Sequence, residues 1–141
     1  MWGVNESDVI FYKHNSTSDW KIIPGKLTQI EVGIFGVFGL DSHGRIYYRV
    51  GTHENPTSSG KDWQLINGDL KLSRISVGTD NIWGVNDDDQ IYIIDSWTLE
   101  NGEMELKWKR IGGLLKQVAI NGSYTVAIKP LGNWLRYIFG K

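Results

Sequence analysis

Three short polar side chains recur at matching places along the chain: Asn5, Asp41 and Asn86, each directly after an aliphatic residue that ends an apolar run. An Asn or Asp there can accept hydrogen bonds from backbone amides just ahead of it and so shape a tight turn. Set near Tyr12, Tyr48 and Tyr92, the same groups offer a second chemistry. Sugars are held by planar hydrogen bonds from Asn, Asp, Arg or His to vicinal hydroxyls, with an aromatic face against the C–H side of the ring. His43, within "DSHG", reads first as a turn residue and second as a contributor to such a site. Trp97, in the polar stretch "IDSWTLENG", reads as an exposed stacking residue in a loop. These eight residues are the candidate carbohydrate contacts.

Other chemistries find less support. Asp87, Asp88 and Asp89 form the most acidic run, and an oxygen-rich calcium site is their functional reading. They lack the alternating spacing and the distal bidentate Glu of an EF-hand loop, so a solvated hairpin turn is the stronger expectation and calcium a weaker one. His14, His43 and His53 all fall in expected turns or loops without metal-ligand spacing. No G-x-S-x-G, phosphate loop or H-E-x-x-H occurs, which argues against catalysis. A net charge of −1 supplies no field for nucleic acid or an anionic membrane. There is no cysteine, hence no disulfide framework or thiol chemistry. No apolar stretch approaches the ~20 residues that span a bilayer, and the first residues show no signal-peptide pattern.

The elements that would position these groups are strands. The 141 residues suit one domain, 40% are hydrophobic, and only Ala119 and Ala127 represent the best helix former. Seven tryptophans, six tyrosines and 17 glycines complete an all-β composition. Two phrases repeat. The first reads "WGVNESDVIFY", "FGLDSHGRIYY" and "WGVNDDDQIYI"; the second starts at Trp20, Trp63 and Trp108, which are 43 and 45 residues apart. Each of these tryptophans is followed by Gly25 and Leu27, Gly68 and Leu70, or Gly113 and Leu115, with two extra residues expected between Leu70 and Ile75. The period is that of four short strands. In the central copy the expected strands are Leu27 to Val32, Phe35 to Leu40, Arg45 to Val50 and Asp62 to Ile66, with Gly44 free to take a positive φ in the turn. Between third and fourth strands lie "HNSTSD", "GTHENPTSSGKD" and "DSWTLENGEME", read as exposed loops. Trp20, Trp63 and Trp108 are expected to pack blades, Trp2, Phe38 and Trp83 to lie between them, and Trp97 and Trp134 have no counterparts.

These words, Trp-Gly-Val-Asn, Ile-Tyr and Trp-x-x-Ile-x-Gly-x-Leu, resemble the tectonin repeat family, and most closely its fish-egg and tachylectin-1-type animal lectins. The resemblance covers residues 1–128, while 129–141, "KPLGNWLRYIFGK", depart from it. It implies a β-propeller of about three blades, in units near 1–26, 27–69 and 70–113 with a partial unit at 114–128. Family rings hold typically about six blades. The sequence is therefore read either as part of a longer propeller or as half of a ring closed by a second copy. In the second case Leu114 to Ile120 would complete the partner's opening blade. By the same resemblance the function is non-catalytic binding of microbial or egg-surface glycans, such as lipopolysaccharide or N-acetylglucosamine polymers, outside the cell in innate defence. The alternatives are an intracellular protein-interaction scaffold and a truncated, non-functional product. Asn5-Glu-Ser, Asn15-Ser-Thr and Asn121-Gly-Ser fit the N-glycosylation pattern.

Overall fold

The computed structural model describes residues 1–66 and 68–115 in full, and the strands at 117–121, 124–128 and 134–138 through their backbone. The side chains of Asn121 and Trp134, and the remainder of the segment 129–141, lie outside the described residues. Among the described residues all regular structure is β. Strands β1 (Trp2–Val4), β2 (Val9–Tyr12) and β3 (Lys21–Lys26) form one antiparallel sheet. The second sheet is β4 (Gln29–Gly33), β5 (Gly36–Leu40), β6 (Ile46–Arg49) and β7 (Trp63–Leu65). The third is β8 (Arg74–Val77), β9 (Ile82–Val85), β10 (Gln90–Glu100) and β11 (Glu103–Leu114). The fourth is β12 (Gln117–Asn121), β13 (Tyr124–Ile128) and β14 (Trp134–Ile138). Each is a meander with strands in chain order. Sheets follow one another face to face, β1 against β4, β4 and β5 against β8, and β8 and β9 against β12. Such stacking of meanders makes these sheets the blades of a β-propeller.

The cores lie between blades. Between the first two sit Ile10, Tyr12, Ile23 and Leu27 with Trp2, Tyr47 and Trp63. Between the second and third, Phe35, Phe38, Leu40, Tyr48, Leu72 and Ile75 join Met104 and Leu106. Every residue of β5 and β9 is buried, as their almost unbroken apolar sequences require of strands covered on both faces. A side-chain clamp adds to the packing. The Gln29 amide donates to the Ile75 carbonyl at 2.8 Å and accepts from its N–H at 3.2 Å, while Gln64 treats Met104 the same way at 2.7 Å each.

The glycine after the repeated aromatic has a packing cause in the second and third blades. A Cβ on Gly39 would meet the Leu27 side chain and stand 2.9 Å from the Gln29 carbonyl oxygen. On Gly84 it would meet Leu72 Cδ1 at 2.5 Å. Leucine equivalence follows from the backbone: Leu27, Leu72 and Leu115 donate their N–H to Asp8, Gly44 and Asp89 carbonyls at 3.1, 3.0 and 2.7 Å. Leu72 thus fills the place expected of Leu70, and the two extra residues precede it, between Gly68 and Leu72. The inner strand β4 starts at Gln29 rather than Leu27, because Leu27 turns inward as this plug.

Three further differences from expectation have physical reasons. The stretch "DSWTLENGEME" is a zipped hairpin extending β10 and β11, with Trp97 opposite Leu106 and Leu99 opposite Met104. Asn101 and Gly102, both at positive φ (52° and 81°), supply the primed turn that suits twisted strands. Met104 and Leu106, buried on one side of it, anchor the hairpin on the second blade. The repeated tryptophans also diverge. Trp63 and Trp108 pack toward the preceding blade, whereas Trp20 is half exposed, with Phe11 and Lys13 against its ring, because among the described residues no blade covers that face. Finally, Leu114 ends β11, and β12 pairs with β13 of its own chain, in the register Gln117 to Ile128 through Asn121 to Tyr124. The off-pattern "YTVAI" is therefore a strand, and β14 from the segment after 128 pairs with it.

Candidate functional site

The hairpins joining β1 to β2, β5 to β6 and β9 to β10 are the same object built three times. Asn5 Oδ1 accepts from the Ser7 and Val9 amides, both at 3.0 Å. Asp41 Oδ1 accepts from His43 and Arg45 at 2.9 and 3.0 Å, and Asn86 Oδ1 from Asp88 and Gln90 at 3.0 and 2.9 Å. The fourth turn residue is left-handed in each, Asp8 at φ 64°, Gly44 at 76° and Asp89 at 63°. Glycine takes this conformation freely, and aspartate is among the few others that tolerate it.

These turns rim two neighbouring crevices at one end of the blades. The smaller, about 410 Å³, lies between the first and second blades and is lined by Asp8, Lys26, Asp41, Ser42, His43, Arg45, Tyr47 and Trp63 among others. The larger, about 680 Å³, lies between the second and third, lined by Thr28, Asp41, Ser42, His43, Asp69, Lys71, Asn86, Asp87, Asp88 and Tyr92 among others. Both volumes suit a small-molecule site. Asp41, Ser42 and His43 belong to both. The segment Asp69-Leu70-Lys71, two residues longer than its counterpart Lys26, lines only the larger one, where it adds the Asp69 carboxylate and sets Lys71 in the place that Lys26 holds in the smaller.

Asp41 is the electrostatic centre. Its side chain is buried; Oδ1 is used by the turn, and Oδ2 accepts from Arg45 Nε at 2.6 Å and from the Tyr47 hydroxyl at 3.3 Å. Burial alone would push the carboxyl up, but the Arg45 and His43 amides and the Arg45 guanidinium outweigh it and hold it below the ordinary Asp value. Burial, and then the Asp41 charge, push the Tyr47 hydroxyl up, so it stays a donor at neutral pH. Together they present a fixed carboxylate flanked by donors, a pattern suited to orienting neutral hydroxyls.

The structure brings together Asp41, His43, Asn86 and Tyr92, with Asp87 and Asp88, and leaves four candidates apart. Tyr48 is fully buried, facing the third blade, and its hydroxyl accepts the His53 N–H at 3.2 Å. Tyr12 is buried too, its hydroxyl donating to the Thr57 carbonyl at 2.5 Å. Neither offers a ring face to a ligand. The register explains this: Tyr12 and Tyr48 stand opposite Trp2 and Phe38, whereas Tyr92 stands opposite Gly84 and its equivalent is Tyr47, opposite Gly39. Neighbouring strand residues face opposite sides, so Tyr47 is the crevice residue that grouping Tyr92 with Tyr48 overlooks. Aligning the repeats on Ile10, Ile46 and Ile91 would have found it. Asn5 is exposed in its turn outside both crevices. Trp97 lies seven residues along β10 from Gln90, about 20 Å away at the other end of the blade. There it is 40% exposed and meets the Phe35 and His53 rings edge-on or tilted, each at 5.0 Å. His53 Nδ1 donates to the Phe35 carbonyl at 2.7 Å, leaving Nε2 as the ring's other polar atom. Asp87, Asp88 and Asp89 form a hairpin turn, and among the described residues no three acidic or histidine side chains converge as a metal cage.

Antiparallel meanders stacked face to face in chain order define a class of fold, the β-propellers. Within it the chain belongs to the tectonin domain family, whose pattern matches residues 1–75 and 57–133. It is 41% identical over 71 residues to the fish-egg lectin of Cyprinus carpio, a match covering 44% of this chain and 29% of that lectin. In fold it resembles the crystal structure of human WBSCR16, with a TM-score of 0.64 at 12% identity, covering 99% of this chain and 44% of that one. The chain thus spans less than half the length of these relatives.

Proposed function

We propose that the chain is a lectin segment that binds carbohydrate without catalysis in the two inter-blade crevices. The observation that carries this is their repetition: equivalent turns, equivalent tyrosines Tyr47 and Tyr92, and a shared Asp41-Ser42-His43 corner. The similarity to a fish-egg lectin supports the ligand class. Asp87, Asp88, Asp69 and Asn86 accept from or donate to sugar hydroxyls in the larger crevice, with Lys71 as a further donor. His43 serves both crevices. The ligands are microbial or egg-surface glycans, including lipopolysaccharide and N-acetylglucosamine polymers, met outside the cell in innate defence. Each site is shallow, and two crevices on one turn raise effective affinity when a branched glycan engages both, by ~10²-fold or more.

Retention on immobilised N-acetylglucosamine or lipopolysaccharide, competed by free sugar, tests the proposal. Saturable, competed retention supports it; retention of partner proteins without any sugar would favour the scaffold reading. The carboxylates act on hydroxyls rather than on calcium, so a chelator leaves retention unchanged. Loss of retention on chelation would reassign Asp87 and Asp88 to a cation.

A further inference from the structure

We propose that Asn15 is an acceptor for an N-linked glycan, placed so that the modification leaves the crevices open. Asn15-Ser16-Thr17 has the required sequence, without proline at the middle position. The geometry adds what sequence does not show. Asn15 is exposed in the loop between β2 and β3, and its Oδ1 collects four donors. They are the Thr17 amide at 3.0 Å, the Thr17 hydroxyl at 2.8 Å, the Ser18 amide at 3.0 Å and the Ser18 hydroxyl at 2.8 Å. Nδ2 is left pointing to no such partner in the loop. Donors on Oδ1 stabilise the negative charge that the oxygen gains as an Nδ2 proton leaves, which makes Nδ2 the nucleophile. All four contacts fall within residues 15–18, so a chain that has not yet formed its sheets can make them.

Asn5 differs. Its Oδ1 takes two backbone amides, and the Ser7 hydroxyl is not among its donors. Position separates the two as well. The Asn5 turn is at the crevice end of the first blade, whereas the loop holding Asn15 is at the opposite end, with the extended β10–β11 hairpin. A glycan on Asn15 therefore does not obstruct a ligand.

In the transfer, Nδ2 attacks the anomeric carbon of a lipid-pyrophosphate-linked oligosaccharide bound to a membrane transferase. The N–C bond forms, the C–O bond to the pyrophosphate breaks, and the lipid pyrophosphate leaves with the electron pair. One Nδ2 proton passes to a base of the transferase. The inference rests on the extracellular part of the proposed function, and a forced-secretion experiment separates the two. The chain is expressed behind a secretion leader in eukaryotic cells, and secreted and cell-retained fractions are digested with trypsin. The peptide from His14 to Lys21 is expected to carry a glycan that peptide-N-glycosidase removes, and at higher occupancy than Asn5 in the same sample. Thr17→Ala is expected to lose the glycan, while Thr17→Ser retains part of it. Recovery of the His14 to Lys21 peptide wholly unmodified, or modification at Asn5 alone, would overturn the assignment. Failure of sugar binding by the same sample would leave it standing and overturn the proposed function instead.

Discussion

Asp41 does two things at once, and a substitution separates them. Its Oδ1 holds the hairpin and its Oδ2 holds Arg45 and Tyr47 at the corner shared by both crevices. Asp41→Ala is expected to destabilise by about 1–3 kcal/mol, because two turn amides and a charged partner lose their acceptor. The exposure of Arg45 puts the value toward the low end. Asn5→Ala, at the exposed copy of the same turn, should cost only about 0.5–1.5 kcal/mol, and urea unfolding of both variants checks the ranking. The pH dependence has a definite sign. The folded-state pKa of Asp41 lies below its unfolded value, so its stabilisation is complete above the ordinary Asp value of about 3.9. It is lost as pH falls through the lower, folded-state value. The melting-temperature gap between the native chain and Asp41→Asn should therefore close in that acid window and stay constant from pH 5 to 7. At the proposed ligand site, Tyr92→Phe keeps the ring and removes one hydroxyl, and sugar affinity is expected to fall about 2- to 10-fold, read by calorimetry.

The strands explain which parts of this arrangement the sequence discloses. The all-β class follows from composition, and the polar turn residues follow from the repeat, since Trp-Gly-Val-Asn and its relatives place Asn5, Asp41 and Asn86 alike within each phrase. The crevices were legible in part. Asp41, Asn86 and His43 announce themselves as turn residues, but Tyr47 and Tyr48 are adjacent and only register tells which faces out. The hairpin at 95–107 hid behind polar composition, although Asn101-Gly102 was the stronger signal. Leu72 was hidden by an insertion on its N-terminal side, which spacing alone places on either side of the leucine. The glycine rule is testable at this scale. Gly39→Ala and Gly84→Ala should each destabilise by about 1–3 kcal/mol, since a methyl there displaces a buried leucine. Gly3→Ala, at the equivalent place in the first blade with nothing within 4 Å, should change thermal stability little.

At the scale of the molecule, the blades stand as a row of similar units, so crevices and surface cover are properties of neighbours rather than of single sheets. Trp20 and Ile22 are 49% and 69% exposed on the outer side of the first blade, the side by which Trp63 packs in the second. An apolar face of this kind is covered in a closed ring. Light scattering of the purified chain of 16.0 kDa distinguishes the ways of covering it. Twice the chain mass would assign the cover to a second copy, and a monomer would assign it to other blades. Sugar binding in the crevices is tested by a residue-resolved NMR titration of the folded chain with N-acetylglucosamine. Saturable shifts of the Ser42, His43, Asp87 and Asp88 amides are expected, with the hairpin around Trp97 unmoved. Saturable shifts confined to Trp97 and His53, or none at the crevice turns with any sugar tested, would contradict it.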